Sequence, residues 1–173
     1  QPTGMDFIEF AVDKLEHQQL TDFLQKTGFA HVATHKVKQV ELWQQGGIRL
    51  VINRESQSFA QRYHTEHGLS VCAYGLSCPD VPGLLERATK LGYQIECADP
   101  EYDTHGIAAI TGPTGALLYL VDANDSSPHW EREFVYHAVD PNSYLSKVDH
   151  VAITLPLDQV LEATLLYRSL FQM

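Results

Sequence analysis

The sequence is short of cysteine, of clustered positive charge and of long apolar runs. Each shortage excludes a class of protein. Three cysteines, Cys72, Cys78 and Cys97, give an odd count with no C-x-x-C pair. That excludes a disulfide framework and a zinc knuckle. All three lie in or beside apolar segments, so they read as reduced, packed thiols, and the cytoplasm is the expected compartment. Lys and Arg total 12 against 22 Asp and Glu, for a net charge of −10, and no stretch concentrates the basic residues. Nucleic acid is excluded as a partner on this reading, because phosphate contacts need clustered positive charge. An acidic surface also disfavours anionic membranes. The longest apolar runs, such as GALLYLV, fall far below the roughly 20 residues of a membrane-spanning helix. No signal peptide is visible, and the opening QPTG reads as the interior of a longer chain or a leftover of cloning. No G-x-S-x-G, P-loop or G-x-G-x-x-G occurs, which leaves serine hydrolase and nucleotide-binding readings unsupported.

What is present is a globular composition, 44% hydrophobic and 10% aromatic over 173 residues, enough for one large domain or two small ones. DFIEFAV at 6–12 reads as a strand. Asp13 then caps a helix, with Glu16 as its capping-box partner. Leu15, Leu20, Phe23 and Leu24 form the apolar stripe of that helix, and Gly28 ends it. FAHVATHKV, QVELWQQ and IRLVIN follow as strands, the last two joined by a hairpin turn at Gly46-Gly47. The order is β-α-β-β-β.

A second unit repeats it. LSVCAYGL is a strand, and Asp80 caps a helix with Pro82 in its first turn. Val81, Leu84, Leu85, Ala88 and Leu91 form the stripe of this helix, and Gly92 ends it. YQIECA, GIAAIT and ALLYLVD are the next strands. KTGF at 26–29 and KLGY at 90–93 hold the same place, and an offset of 64 residues carries Met5 onto Leu69. An internal duplication follows. Residues 123–146 break the pattern with Asn, Asp, Ser and two prolines, and read as a linker, with Trp130, Phe134, Val135 and Tyr136 packing it against a sheet. A third unit opens at KVDHVAITL, a strand, and continues in a helix from Leu157 to Phe171 with a stripe of Leu157, Val160, Leu161 and Leu165. A lone strand and helix cannot bury that stripe, so it must dock elsewhere.

The stretches FIEFAV, VELWQQGGIRLVIN, HGLSVCAYGL, GPTGALLYLVD and VDHVAITLP, in this order over most of the chain, resemble the vicinal oxygen chelate superfamily. Within it the sequence is similar to the 4-hydroxyphenylpyruvate dioxygenase family. The LP after the third opening strand and the helix LLYRSLF look most like the dioxygenase-like half of bacterial 3-dehydroshikimate dehydratases. The resemblance implies an α+β fold of tandem β-α-β-β-β modules. Residues 5–122 would be a metal-free N-terminal paired-module domain, 123–146 a linker, and 147–173 the first strand and helix of a truncated catalytic domain.

It also implies a function. Dioxygenases of this family hold Fe(II) with two histidines and one glutamate from their C-terminal pair of modules, leaving open positions for substrate and O₂. They take an aromatic α-keto acid and yield homogentisate in aromatic amino acid catabolism. Carried onto this sequence position by position, the first-strand ligand falls on Phe7, Val71 and His150 in the three units, and the last-strand glutamate on Tyr119, or on Leu50 or Val51. Only His150 matches a ligand of the family, and the resemblance implies that its partners would lie beyond Met173. The implied cofactor is Fe(II) in the full-length protein, with none held by this chain alone. The implied partners are an aromatic α-keto acid, or dehydroshikimate in a fused domain, and a second copy in a homo-oligomer. A lyase fusion and a metal-free module holding a small apolar ligand are the other readings.

Other residues invite sharper roles. His64 and His67 in YHTEH could share a helical face as metal ligands, but only Glu66 accompanies them in sequence. Asp103 and His105 in YDTHG read as turn chemistry. Tyr74 and Tyr119 would line the concavity of the sheet or, more ordinarily for strand tyrosines, tie off their hydroxyls in the core.

Overall fold

The structure, a computed structural model, describes residues 1–96, 107–126 and 128–173. The first module runs β1 (Gly4–Ala11), α1 (Lys14–Lys26), β2 (Ala30–His35), β3 (Val40–Gln45) and β4 (Ile48–Asn53). A helix absent from the sequence reading, α2 (Phe59–His67), leads to the second module: β5 (Ser70–Cys78), α3 (Val81–Leu91), β6 (Ile95–Glu96), β7 (Ala109–Thr111) and β8 (Leu117–Asp122). The duplication is therefore real in space. Within each module the first and last strands run parallel, β1 with β4 and β5 with β8. The modules meet where β1 pairs antiparallel with β5, Ile8 opposite Tyr74 and Glu9 opposite Ala73. One nine-stranded sheet results, in the order β6-β7-β8-β5-β1-β4-β3-β2-β9.

The helix ends follow the local chemistry read from the sequence. The Asp13 side chain accepts from the N–H groups of Leu15 and Glu16, and Glu16 returns the bond to the Asp13 N–H, so the capping box is complete. Asp80 accepts from the Gly83 N–H. Gly92 closes α3 with a left-handed φ of 79°. The expected stripe of α1 holds at Leu24 and at Leu20, which packs against the core, and fails at Leu15 and Phe23. Thr21 and Leu24 are buried, whereas Leu15 and Phe23 are 68% and 60% exposed. Two polar ties hold the helix this way: His17 Nε2 lies 2.9 Å from Glu41 Oε1, and His64 Nε2 lies 2.6 Å from Glu16 Oε2. On α3 the expected stripe holds at Leu84 and Ala88, and Leu91 lies outside it, exposed.

The stretch expected to be a linker is a structured strap. It forms α4 (His129–Glu133) and β9 (Phe134–Tyr136), which pairs antiparallel with β2. Trp130 and Phe134 are buried, while Val135 and Tyr136 are exposed, so only half of the expected packing set is engaged. Trp130 reaches the interior with its Nε1 donating to Asp6 Oδ2 at 3.0 Å, and Arg49 holds the other oxygen of Asp6 at 3.1 Å. The strap then passes over the β3–β4 hairpin, where the Gly46 N–H donates to the Asn142 carbonyl at 2.7 Å.

The third unit departs from expectation. Residues 147–156 form no strand. A strand needs a hydrogen-bonded neighbour, and none among the described residues pairs with them. A 3₁₀ turn (Leu157–Gln159) leads into α5 (Val160–Ser169). The stripe Leu157, Val160, Leu161 and Leu165 is exposed, and the helix instead buries Ala163 and Leu166, with Leu170 and Phe171 just beyond it. The sequence carries two apolar faces here, and the docked one contacts the main core. Arg87 Nη1 donates to the Leu170 carbonyl at 3.4 Å and Tyr93 Oη lies 3.3 Å from Ser169 Oγ.

Cys72 and Cys78 are buried free thiols, as expected, and burial pushes Cys78 up to about 11 and Cys72 well above the ordinary range. Cys97, together with Asp103 and His105, lies outside the described residues.

The module junction carries a prediction. Gly75 stands opposite Phe7 in the β1–β5 pair, and a Cβ there would collide with the Phe7 ring and crowd Val121. Gly75→Ala is expected to destabilise the protein by about 1–3 kcal/mol, read as a lower midpoint in urea unfolding. An unchanged midpoint would show that the ring moves aside freely.

Candidate functional site

The positions that the resemblance marks for metal ligands can be located. Phe7 on β1 is 1% exposed, with its ring 5.7 Å from Tyr119 of β8, 5.2 Å from Trp130 and 6.0 Å from His129. Tyr119, Leu50 and Val51 are buried, and Val71 packs against the core. The first and second modules thus do bring the first-strand and last-strand positions together, at Phe7 and Tyr119. What they enclose is an aromatic cluster with Trp130 of the strap wedged edge-on against Phe7. Edge-to-face rings of this kind contribute packing energy, not ligand atoms.

His150 stands in a different environment. Its side chain is 78% exposed, and its Nδ1 lies 2.8 Å from Asp149 Oδ2. It sits on the rim of a cleft of about 980 Å³ between the sheet and the C-terminal stretch, lined among others by Met5, Tyr74, Leu76, Ile153, Ala163 and Tyr167. Tyr74 is buried on the cleft floor. Its hydroxyl faces that of Tyr167, and neither has a well-formed hydrogen bond to a protein atom. Burial raises both phenols above their ordinary range. Of the two tyrosines singled out in the sequence, Tyr74 therefore lines a cavity and Tyr119 is core.

Phe7, Tyr119 and His150 do not by themselves make a site for Fe(II). One exposed imidazole beside one neighbouring carboxylate falls short of the three ligands that such an ion takes. The one group of three possible ligands among the described residues is elsewhere: Asp13, Glu16 and His64, with ligand atoms within 4.8 Å of one another. His64 therefore does find carboxylates, but from α1 and not from its own helix. His67 takes no part, since its Nδ1 lies 3.0 Å from the Tyr63 carbonyl and its ring stacks on Tyr63. The cluster is already satisfied internally. Asp13 Oδ1 accepts two backbone N–H groups, and Glu16 Oε2 takes the Asp13 N–H and His64. The Asp13 N–H is the main cause that holds the Glu16 carboxyl below its usual range. The cluster also sits at the positive end of α1, which disfavours a cation. It caps the helix. Sequence reasoning saw the capping box and the histidine but not their meeting, because 48 residues separate His64 from Glu16.

Paired β-α-β-β-β modules in one sheet, with the first and last strands of each module parallel, define the vicinal oxygen chelate fold. The chain belongs to the family described as "Hydroxyphenylpyruvate dioxygenase, HPPD, N-terminal", whose model matches residues 2–139. It is 38% identical over 170 residues to a 3-dehydroshikimate dehydratase of Pseudomonas aeruginosa, covering 97% of this chain and 27% of that protein. It is 36% identical over 137 residues to a 4-hydroxyphenylpyruvate dioxygenase of Pseudomonas sp. (strain P.J. 874), covering 77% of this chain and 37% of that one. Among solved structures it is similar to a xylose isomerase-like TIM barrel/4-hydroxyphenylpyruvate dioxygenase fusion protein. The TM-score is 0.91 at 32% identity, over 99% of this chain and 27% of that one. A mutant of 4-hydroxymandelate synthase from Streptomyces coelicolor shares the fold at a TM-score of 0.78 and 19% identity, over 100% of this chain and 53% of that one. The chain therefore spans about a quarter to two fifths of the length of the two Pseudomonas relatives.

The cleft floor gives a prediction of its own. A buried hydroxyl without a partner costs about 1–3 kcal/mol. Tyr167→Phe removes one, and is expected to raise the thermal midpoint by about 2–4 °C. A lower midpoint would mean that the hydroxyl is bonded in solution.

Proposed function

We propose that this chain is the metal-free leading part of a 4-hydroxyphenylpyruvate dioxygenase-like unit, with residues 5–122 as its scaffold domain and 147–173 as the opening of its catalytic domain. The observation that carries the reading is the contrast between Phe7 and His150. The first is walled in by rings, and the second is an open imidazole on a segment with no strand partner among the described residues. Unpaired residues 147–155, and the exposed Leu157, Leu161 and Leu165 beside them, are seats for further strands of the same protein. In the whole protein His150 supplies one ligand to Fe(II), and the ion supplies oxygen activation. The substrate is an aromatic α-keto acid, converted to homogentisate in aromatic amino acid catabolism. The protein is a cytoplasmic homo-oligomer. No described helix is long and apolar enough to cross a membrane.

A second reading concerns the company the unit keeps. The match to the 3-dehydroshikimate dehydratase of P. aeruginosa takes in 97% of this chain, against 77% for the match to the Pseudomonas sp. dioxygenase. That difference favours a lyase fusion, in which dehydration of 3-dehydroshikimate occurs in a separate barrel and the present unit is its dioxygenase-like half.

The test uses the full-length protein. Bound iron is measured alongside O₂ uptake with 4-hydroxyphenylpyruvate and water loss from 3-dehydroshikimate. His150→Ala is expected to lower metal affinity by about tenfold or more, while leaving the unfolding midpoint unchanged. Full iron loading in that variant would remove His150 from the site. Dehydration without O₂ uptake would select the lyase reading, and O₂ uptake without dehydration the stand-alone dioxygenase.

A further inference from the structure

A cluster of titratable rings lies away from the cleft, where the strap joins the first module. His31 of β2 stacks on Trp43 of β3, ring centroids 5.3 Å apart, and meets His137 at a steep angle, centroids 4.8 Å apart. Thr34 Oγ1 stands between the two imidazoles, 3.1 Å from His31 Nε2 and 3.0 Å from His137 Nε2. His137 follows β9 directly, and its backbone N–H donates to the Val32 carbonyl at 2.8 Å. The cluster therefore sits where the strap leaves the sheet edge.

The hydrogens can be assigned from the acceptors. His31 Nε2 also lies 3.1 Å from the Ala33 carbonyl, which only accepts, so this nitrogen carries a hydrogen. That one hydrogen is shared between the Ala33 carbonyl and Thr34 Oγ1, and Thr34 gives its own single proton to His137 Nε2, which is then bare. Charging His137 puts a hydrogen on that nitrogen. Thr34 Oγ1 then accepts from both rings through its two lone pairs and turns its own proton away, so this step alone does not part them. Charging His31 as well sets two cationic rings against each other.

The surroundings offer little relief. Glu41 of β3 is the nearby anion, but its Oε1 lies 2.9 Å from His17 Nε2 of α1 and its Oε2 accepts from Trp43 Nε1 at 3.0 Å. A charged His17 would add a third cation nearby. On the other side of the pairing, His35 Nε2 lies 3.9 Å from Glu133 Oε2 and the Lys36 N–H donates to the Glu133 carbonyl, which anchors the upstream end of the strap by separate contacts.

We propose that His31, Thr34 and His137 form a pH-sensitive clasp that holds β9 on the β2 edge while both imidazoles are neutral and releases it when they are charged. Burial holds His31 below its ordinary value of 6.5, against the opposing pull of Glu41 and with the push of His137. A histidine depressed in the fold favours the folded arrangement above its ordinary value, and that contribution is lost as pH falls through the folded value. The clasp is closed at neutral pH and opens in acid.

The test is site-resolved amide hydrogen exchange on the 173-residue chain at about pH 7.5 and about pH 5, corrected for intrinsic rates. Protection at residues 134–137 is expected to fall about tenfold in acid while that of β4 stays constant. Trp43 fluorescence, quenched by a charged imidazole on its face, follows with the same midpoint. In His137→Phe, which keeps a ring but no charge, protection at 134–136 becomes independent of pH. Should that variant fail to fold, His31→Gln makes the same discrimination. Flat protection in the parent chain, or an undiminished acid loss in both variants, would overturn the clasp.

Discussion

The antiparallel seam between β1 and β5 is the constraint on which the rest of the structure depends. It joins two small modules into one sheet, and it works because Gly75 leaves room for the Phe7 ring. With that ring seated, Tyr119 arrives from β8 and Trp130 from the strap to close the interior around it. Asp6 completes the arrangement at its edge, shared between Arg49 and the Trp130 indole. A charged group beside a buried aromatic is stable here because both carboxylate oxygens are bonded.

The resemblance sets Phe7 and His150 at one position of the module, and the structure gives the two different surroundings. At Phe7 it is a packing element, and burial fixes it. At His150 it is solvent-facing, and nothing in the chain's own core needs it. Fold and site are separable in this family of modules. The first module holds an aromatic ring at Phe7, and that ring closes an interior with Tyr119 and Trp130.

Much of the fold was legible in the sequence because its signals are local. Strand alternation, the Asp13 capping box, and glycines at 28 and 92 each reflect interactions within a few residues. The failures share one cause, tertiary choice between locally equal options. Helix α1 could bury Leu15 and Phe23 with Leu20 and Leu24, but with polar ties to β3 and α2 it buries Thr21 beside Leu24 and leaves those two exposed. The C-terminal helix has two apolar faces, and only docking selects the one with Leu166. Residues 147–155 have strand composition without a strand partner, and β9 emerges from a stretch whose prolines pointed to a loop. Of the candidate site, His150 was singled out only through resemblance to a family, as an expectation. The facing hydroxyls of Tyr74 and Tyr167 were not legible at all, since they meet across 93 positions of chain.

The strap has one more consequence. It leaves the second module at Asp122 and adds a strand to the far edge of the first, beyond β2. The two modules are thereby laced together as well as paired. Peeling either one from the seam would also strip β9 or withdraw Trp130 from the interior. Partial unfolding is penalised at both ends of the sheet at once, so the nine strands are expected to melt as one cooperative unit, not as two independent halves.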